Sequence, residues 1–165
     1  MVIGKKVTAI GFSAFRNCKS LTSIVIPERV TYIGWHAFQN CTSLTSIKIP
    51  DSVANIGDSA FDYCTSLASI TVGENNQAYM SIDGSLYTKN GKELVQYATG
   101  KRDKAFTIPD SVTTIGKGAF TFCTSLTIYC EASIKLKGWH EKWNYSKCPV
   151  VWGSEIKTKV KHLND

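Results

Sequence analysis

Along residues 1–73 the apolar positions fall in an order that returns every 23 residues. Val7, Val30 and Val53 form one column, and Ile10, Ile33 and Ile56 the next. Ala14/Ala37/Ala60, Phe15/Phe38/Phe61, Cys18/Cys41/Cys64, Leu21/Leu44/Leu67 and Ile24/Ile47/Ile70 follow in register. Within one unit, "LTSIKIP" (44–50) alternates apolar and polar residues, which predicts a strand with Ile47 and Ile49 on one face and Lys48 on the other. Pro50 ends it, since proline has no amide to donate to a ladder. "SVANIG" (52–57) predicts a second short strand stopped by glycine. "DSAFDYC" (58–64) spaces Ala60, Phe61 and Cys64 as one turn of helix would.

Such a unit cannot fold alone. Its core side chains are worth roughly 2 kcal/mol each when buried, whereas ordering the backbone costs on the order of 1–2 kcal/mol per residue. The deficit closes when neighbouring units share hydrogen-bond ladders and cover each other's apolar edges. The repeat therefore predicts an α/β solenoid in which each coil is strand, turn, short strand and helical turn.

The period breaks twice. From Val72 to Ile108 the step is 36 residues, one repeat plus an insertion at about 74–105. Asn90-Gly91, between "SLYTK" and "KELVQY", predicts a β-hairpin there. Val112, Ile115, Gly116, Ala119, Phe120, Cys123 and Leu126 then restate the repeat. In 128–153, Ile128 and Cys130 take the slots of Ile47 and Ile49, and Val150 and Trp152 predict the strand of a degenerate capping coil. Trp143 falls in the phenylalanine column, and Trp139 and Trp143 are i,i+4 partners on an expected short helix. The solenoid is thus expected over 1–153, followed by a polar tail, 154–165. Ile3 and Val7 match Ile26 and Val30, so the first residues read as the middle of a coil, in a fragment of a longer array or a first coil covered by another copy.

Composition changes this picture little. The 165 residues carry a formal charge of +6 and are 43% hydrophobic, ordinary for a soluble domain. No apolar run reaches the length of a membrane span. The lysines gather in the last third. A nucleic-acid groove would want such charges aligned on one face and interleaved with aromatics. Mild basicity reads instead as solubility or attraction to acidic surfaces, so neither nucleic acid nor membrane insertion is expected.

Candidate chemistry is equally sparse. His36, His140 and His162 share no metal-binding spacing, and no Cys-x-x-Cys occurs. His36 lies near Cys41, but Cys18 and Cys64 in the same column have no such neighbour. No enzyme activity, metal or cofactor is expected. Stacked Cys18, Cys41, Cys64 and Cys123 would have parallel Cβ vectors, unfavourable for disulfides, and read as small buried fillers. Cys130 and Cys148 lie outside that column, and their pairing is left open.

With the columns in view, the chain resembles the BspA-like leucine-rich repeat family. The residues that carry the likeness are "IPERVTYIGWHAFQNCTSLTSIKIP" (26–50) and "IPDSVTTIGKGAFTFCTSL" (108–126). The insertion "YMSIDGSLYTKNGKELVQYATGK" (79–101) and the ending "IYCEASIKLKGWHEKWNYSKCPVVWG" (128–153) are also similar to those of members. The resemblance implies a right-handed leucine-rich-repeat coil on secreted or cell-surface proteins, mostly bacterial. It further implies adhesion to a protein partner of host matrix or cell envelope, and no catalytic residues.

Recognition must then use the positions that the repeat leaves free. On the strand face these are Val25, Lys48, Thr71 and Tyr129; beside the turns they are Trp35, Tyr63 and Phe122. The aromatics fit a binding hot spot or simple padding of the coil edges. Two functions compete, a protein-binding adhesion module and a structural spacer within a longer envelope protein, with a carbohydrate-binding surface as a third.

Overall fold

The computed structural model describes residues 1–154; the expected polar tail lies, apart from Ser154, outside the described residues. The strands are β1 (Ala9–Ile10), β2 (Tyr32–Ile33), β3 (Ser46–Ile49), β4 (Asn55–Ile56), β5 (Ser69–Val72) and β6 (Tyr79–Ile82). They continue with β7 (Ser85–Thr88), β8 (Glu93–Gln96), β9 (Ala105–Ile108), β10 (Thr114–Ile115), β11 (Thr127–Cys130) and β12 (Val150–Trp152).

Parallel pairing runs from coil to coil in the expected register. Tyr32 faces Ala9 and Asn55 along β1–β2–β4, and Ile47 faces Ile70 and Lys48 faces Thr71 in β3–β5. The strand expected at Val150 and Trp152 is paired as read: Ile128 faces Val150 and Cys130 faces Trp152. Inside, Phe15, Phe38 and Phe61 stack face to face, with ring centroids 5.2 and 5.6 Å apart. Trp143 extends the column beyond Phe120 at 5.7 Å.

The helical turns are not formed, and the architecture is a β-solenoid rather than α/β. Among the described residues the only helix is a 3₁₀ turn at Thr99–Lys101. Segments 12–17, 35–40, 58–63 and 117–122 are hydrogen-bonded turns, as is 141–146 around Trp143, where a short helix was expected. The cause is where the amides point. Ala14 and Ala37 donate within their own turn, to Gly11 and Gly34, but Phe15 and Phe38 donate to the next coil, to Ala37 and Ala60. A helix needs every amide for its own i−4 carbonyl; here half of them hold the stack together.

The insertion is more than a hairpin. Residues β6, β7 and β8 form an antiparallel meander, with the Asn90-Gly91 turn where the sequence put it and a second turn at Asp83-Gly84. Both Asp83 and Gly84 have positive φ, 48° and 74°, as a tight two-residue hairpin turn requires. Strand β8 then re-enters the solenoid in parallel with β10, pairing Leu94 with Ile115. Tyr97 takes the phenylalanine slot, 5.4 Å from Phe120, and donates its amide to Ala119 as Phe15 does to Ala37.

Candidate functional site

Each regular turn contains two residues at positive φ. One column is Ser13, His36, Ser59 and Gly118, at 54°, 56°, 56° and 70°. The other is Asn17, Asn40, Tyr63 and Phe122, at 64°, 63°, 64° and 67°. Asparagine tolerates this region well, and Asn40 Nδ2 donates to Asn17 Oδ1 at 2.8 Å. Aromatic residues do not prefer it, and a bulky side chain held there is an outlier. Tyr63 and Phe122 nonetheless occupy it, and their rings touch at 4.8 Å, tilted by 55°.

Their neighbours explain why they meet. Amide bonds run from turn 12–17 to 35–40 and from 35–40 to 58–63. Among the described residues none joins 58–63 to 117–122. The insertion contributes the inner part of a coil, β8 and Tyr97, and then cuts across through Thr99–Lys101 without a six-residue turn. Thr99 Oγ1 donates to the Cys64 carbonyl and the Gly100 amide to Leu67. The turn edge is therefore left with a seam bridged by side chains. Phe122 is 46% exposed and Tyr63 half-buried, so the pair forms an aromatic ridge on the surface.

A depression flanks the ridge on either side. The larger, about 480 Å³, lies between Phe122 and the Tyr97–Lys104 segment. There the Tyr97 hydroxyl donates to Asp103 Oδ2 at 2.8 Å, which with Lys101 holds the carboxyl below its usual range, while burial pushes the phenol up. Lys101 also pairs with Asp83, pinning the insertion's first turn. The smaller, about 210 Å³, lies between Tyr63 and Lys117, over Ser59 and Asp62. Burial pushes the Asp62 carboxyl up.

The other sequence-chosen positions do not converge on the seam. Lys48 and Thr71 are exposed neighbours on β3–β5, and Val25 is bridged to Val2. Tyr129 belongs to a different sheet, between Thr107 and Val151. The meander separates the two sheets: the Ile70 amide donates to Gly84, and Ser81 Oγ to the Ile70 carbonyl. The single strand-face row expected from sequence is thus two rows. Trp35 stands on the first coils, 58% exposed like its column neighbour Phe12 at 66%, and its ring covers Gly57, where a Cβ would lie 2.2 Å from it. Sequence reasoning missed Ser59, Asp62, Lys142 and Tyr145 at the seam; their columns carry no signal until the insertion's path is known.

The thiols are free. Cys41, Cys64 and Cys123 are buried fillers, whereas Cys18, in the first coil of the column, is exposed. Cys148 packs on Cys123, donating to its carbonyl at 2.8 Å, so it continues the thiol column rather than meeting Cys130. The adjacent thiol and burial raise the Cys64 and Cys123 pKa, and burial takes Cys130 to about 11. Among the described residues no three His, Cys, Asp or Glu side chains gather as a metal site would need, and no helix is long and apolar enough to cross a membrane.

Coils of short parallel strands with leucine, isoleucine and phenylalanine columns inside define a leucine-rich-repeat β-solenoid. The family model described as "BspA type Leucine rich repeat region" matches in six copies over residues 1–90 and 97–146, and the chain belongs to that family. No curated protein matches the chain. Among solved structures, it is similar to a leucine rich cell surface protein from Faecalibacterium prausnitzii, at 36% identity over 78% of this chain and 34% of that one, with a TM-score of 0.71. A leucine-rich repeat protein from Bacteroides ovatus is 35% identical over 77% of this chain and 32% of its own, with a TM-score of 0.52. The chain thus spans about a third of those relatives. The pneumococcal vaccine antigen PcpA, 20% identical with a TM-score of 0.55 over 84% of this chain and 49% of that one, shares the fold.

Proposed function

We propose that the chain is a non-catalytic protein-binding module of a cell-surface or secreted protein, and that its partner docks on the Tyr63–Phe122 ridge. The observation that carries this reading is the placement of two surface aromatics at left-handed positions that the repeat otherwise fills with asparagine. Strain kept on a surface where a better residue is already in use elsewhere in the repeat is strain the fold does not need, and such outliers cluster at binding sites. Large aromatics beside pockets also supply most of the energy of typical protein interfaces. The Faecalibacterium relative is a cell surface protein, which supports the location, and adhesion to matrix or envelope proteins is the expected consequence.

The test is a binding series against immobilised extracellular-matrix glycoproteins and a solubilised cell-envelope fraction. Tyr63→Asn and Phe122→Asn borrow the repeat's own residue, and each should weaken binding at least about tenfold, as loss of a hot-spot aromatic does. Trp35→Ala and Lys48→Ala test the two surfaces first chosen from sequence. If only those two abolish binding, the ridge is not the docking site; if no arm binds, the spacer reading takes its place.

A further inference from the structure

The seam contains one feature that a protein-docking ridge does not use. Asp62 is 8% exposed and Ser59 6%. Asp62 Oδ1, Ser59 Oγ and His36 Nδ1 nevertheless have no hydrogen-bond partner, and all three residues line the 210 Å³ depression beside Tyr63. Buried polar groups are costly unless paired. A carboxylate is the costliest of them, and none of the ion pairs among the described residues involves Asp62. The repeat does not demand this arrangement, since the same column holds Arg16, Gln39 and Thr121, of which Arg16 is exposed and Gln39 half-buried. The bare Gly118 is what makes room, for a Cβ there would sit 2.5 Å from Asp62 Oδ1.

Around this acceptor floor the rim has the opposite character. Lys117 and Lys142 are exposed at the edge, and Tyr145, 60% exposed, adds a second aromatic to Tyr63. A ligand must therefore satisfy three demands at once. It offers hydroxyl or amide donors to the buried acceptors, a negative charge to the lysines, and a C–H face to the tyrosines. A cationic side chain meets two like charges at the rim, and a phosphate or sulfate meets Asp62. A pyranose ring bearing a carboxylate meets all three demands.

We propose that the notch between turns 58–63 and 117–122 binds one acidic sugar unit, a uronic or sialic acid. Its hydroxyls donate to Asp62, its carboxylate pairs with Lys117 and Lys142, and its ring lies between Tyr63 and Tyr145. The site goes beyond the protein-docking ridge and needs no protein partner. Its sources, a free polysaccharide or the glycan of a glycoprotein, present the same terminal chemistry.

The experiment is calorimetric titration of the full chain with glucuronic acid and N-acetylneuraminic acid, with glucose and acetate as controls. At least one acidic sugar should bind, about tenfold or more tighter than either control. Lys142→Ala, an exposed substitution, and Asp62→Asn should each weaken it about tenfold, the loss expected for one charged hydrogen bond. A thermal melt confirms that Asp62→Asn folds; if it does not, Lys142→Ala alone decides. Hyaluronan and sialylated oligosaccharides then distinguish the two sources. Absence of binding by both acidic sugars overturns the proposal, as does equal binding of acetate or glucose, or binding indifferent to Lys142→Ala.

Discussion

The first three coils and the seam use one repeat pattern to opposite ends. In the coils the turns lie in direct contact. Phenylalanines stack at 5.2 and 5.6 Å, asparagines bond across at 2.8 Å, and backbone amides join each turn to the next. At the seam the same columns hold an aromatic pair, a buried carboxyl with its Oδ1 unpartnered and a glycine, and no backbone bond crosses among the described residues. A solenoid is thus stable wherever successive coils are alike, and gains surface variety where an insertion keeps them apart on one edge. Beyond the seam the core column resumes, with Tyr97 in the phenylalanine slot stacked on Phe120.

The largest effect should separate the two regions directly. Phe38, fully buried between Phe15 and Phe61, should cost about 3–5 kcal/mol on truncation to alanine. Phe122→Ala, at the exposed seam, should cost less than about 1.5 kcal/mol, the worth of one aromatic contact. Urea denaturation of the two variants reads the difference. Equal losses would mean that the seam is as much a part of the core as the coils are.

Next in size is the glycine that the seam requires. At Gly118 φ is +70° and an added Cβ would meet Asp62 Oδ1 at 2.5 Å; at Gly91 φ is +68° with nothing within 4 Å. Both alanine variants should pay the left-handed penalty, about 1–2 kcal/mol. Only Gly118→Ala should pay more, and the excess should shrink in the Gly118→Ala/Asp62→Ala double variant. Thermal melts of the parent, Gly91→Ala, Gly118→Ala, Asp62→Ala and the double variant measure that coupling.

How much of this was legible follows from where each feature gets its information. Columns such as Ile47/Ile70 and Ile128/Val150 are local pattern, and β3, β5, β11 and β12 fell where the pattern put them. The helical turns failed because i,i+3 and i,i+4 spacing is shared by a helix and by a stacked turn. What decides is whether Phe15 donates inward or to the next coil, which depends on a neighbour. Tyr63 and Phe122 were visible as aromatics in a free column, but not their contact. Ser59 and Asp62 were invisible as a site, since Gly118, Lys142 and Tyr145, which line the notch with them, come from coils beyond the insertion.

A smaller effect follows from the Asp62 carboxyl. Burial raises its pKa above that of the unfolded chain, so the folded state binds the proton more tightly and ionisation opposes folding. The penalty appears as pH rises through the ordinary aspartate range near 4 and is constant above the folded value. Asp62→Asn removes it. The variant should be more stable than the parent by about 1 kcal/mol at pH 7, and the gain should fade as the pH falls towards 4. Denaturation at stepped pH checks the sign: a gain that grows in acid would mean that the carboxylate is stabilised in place.

The smallest stability change is expected where the binding change is largest. In the Tyr63→Asn/Phe122→Asn double variant, relief of two left-handed aromatics is worth up to about 1 kcal/mol each. It is offset by loss of their mutual contact, about 0.5–1.5 kcal/mol. Asn40 Nδ2 already bonds Asn17 Oδ1 across one coil step, whereas positions 63 and 122 are separated by the insertion's inner coil. Two asparagines there are too short to reproduce that bond, so the two terms should nearly cancel. Urea melts should then agree with the parent within about 1 kcal/mol. A much larger loss would show that the ridge holds the seam closed, and would move Tyr63 and Phe122 from recognition to architecture.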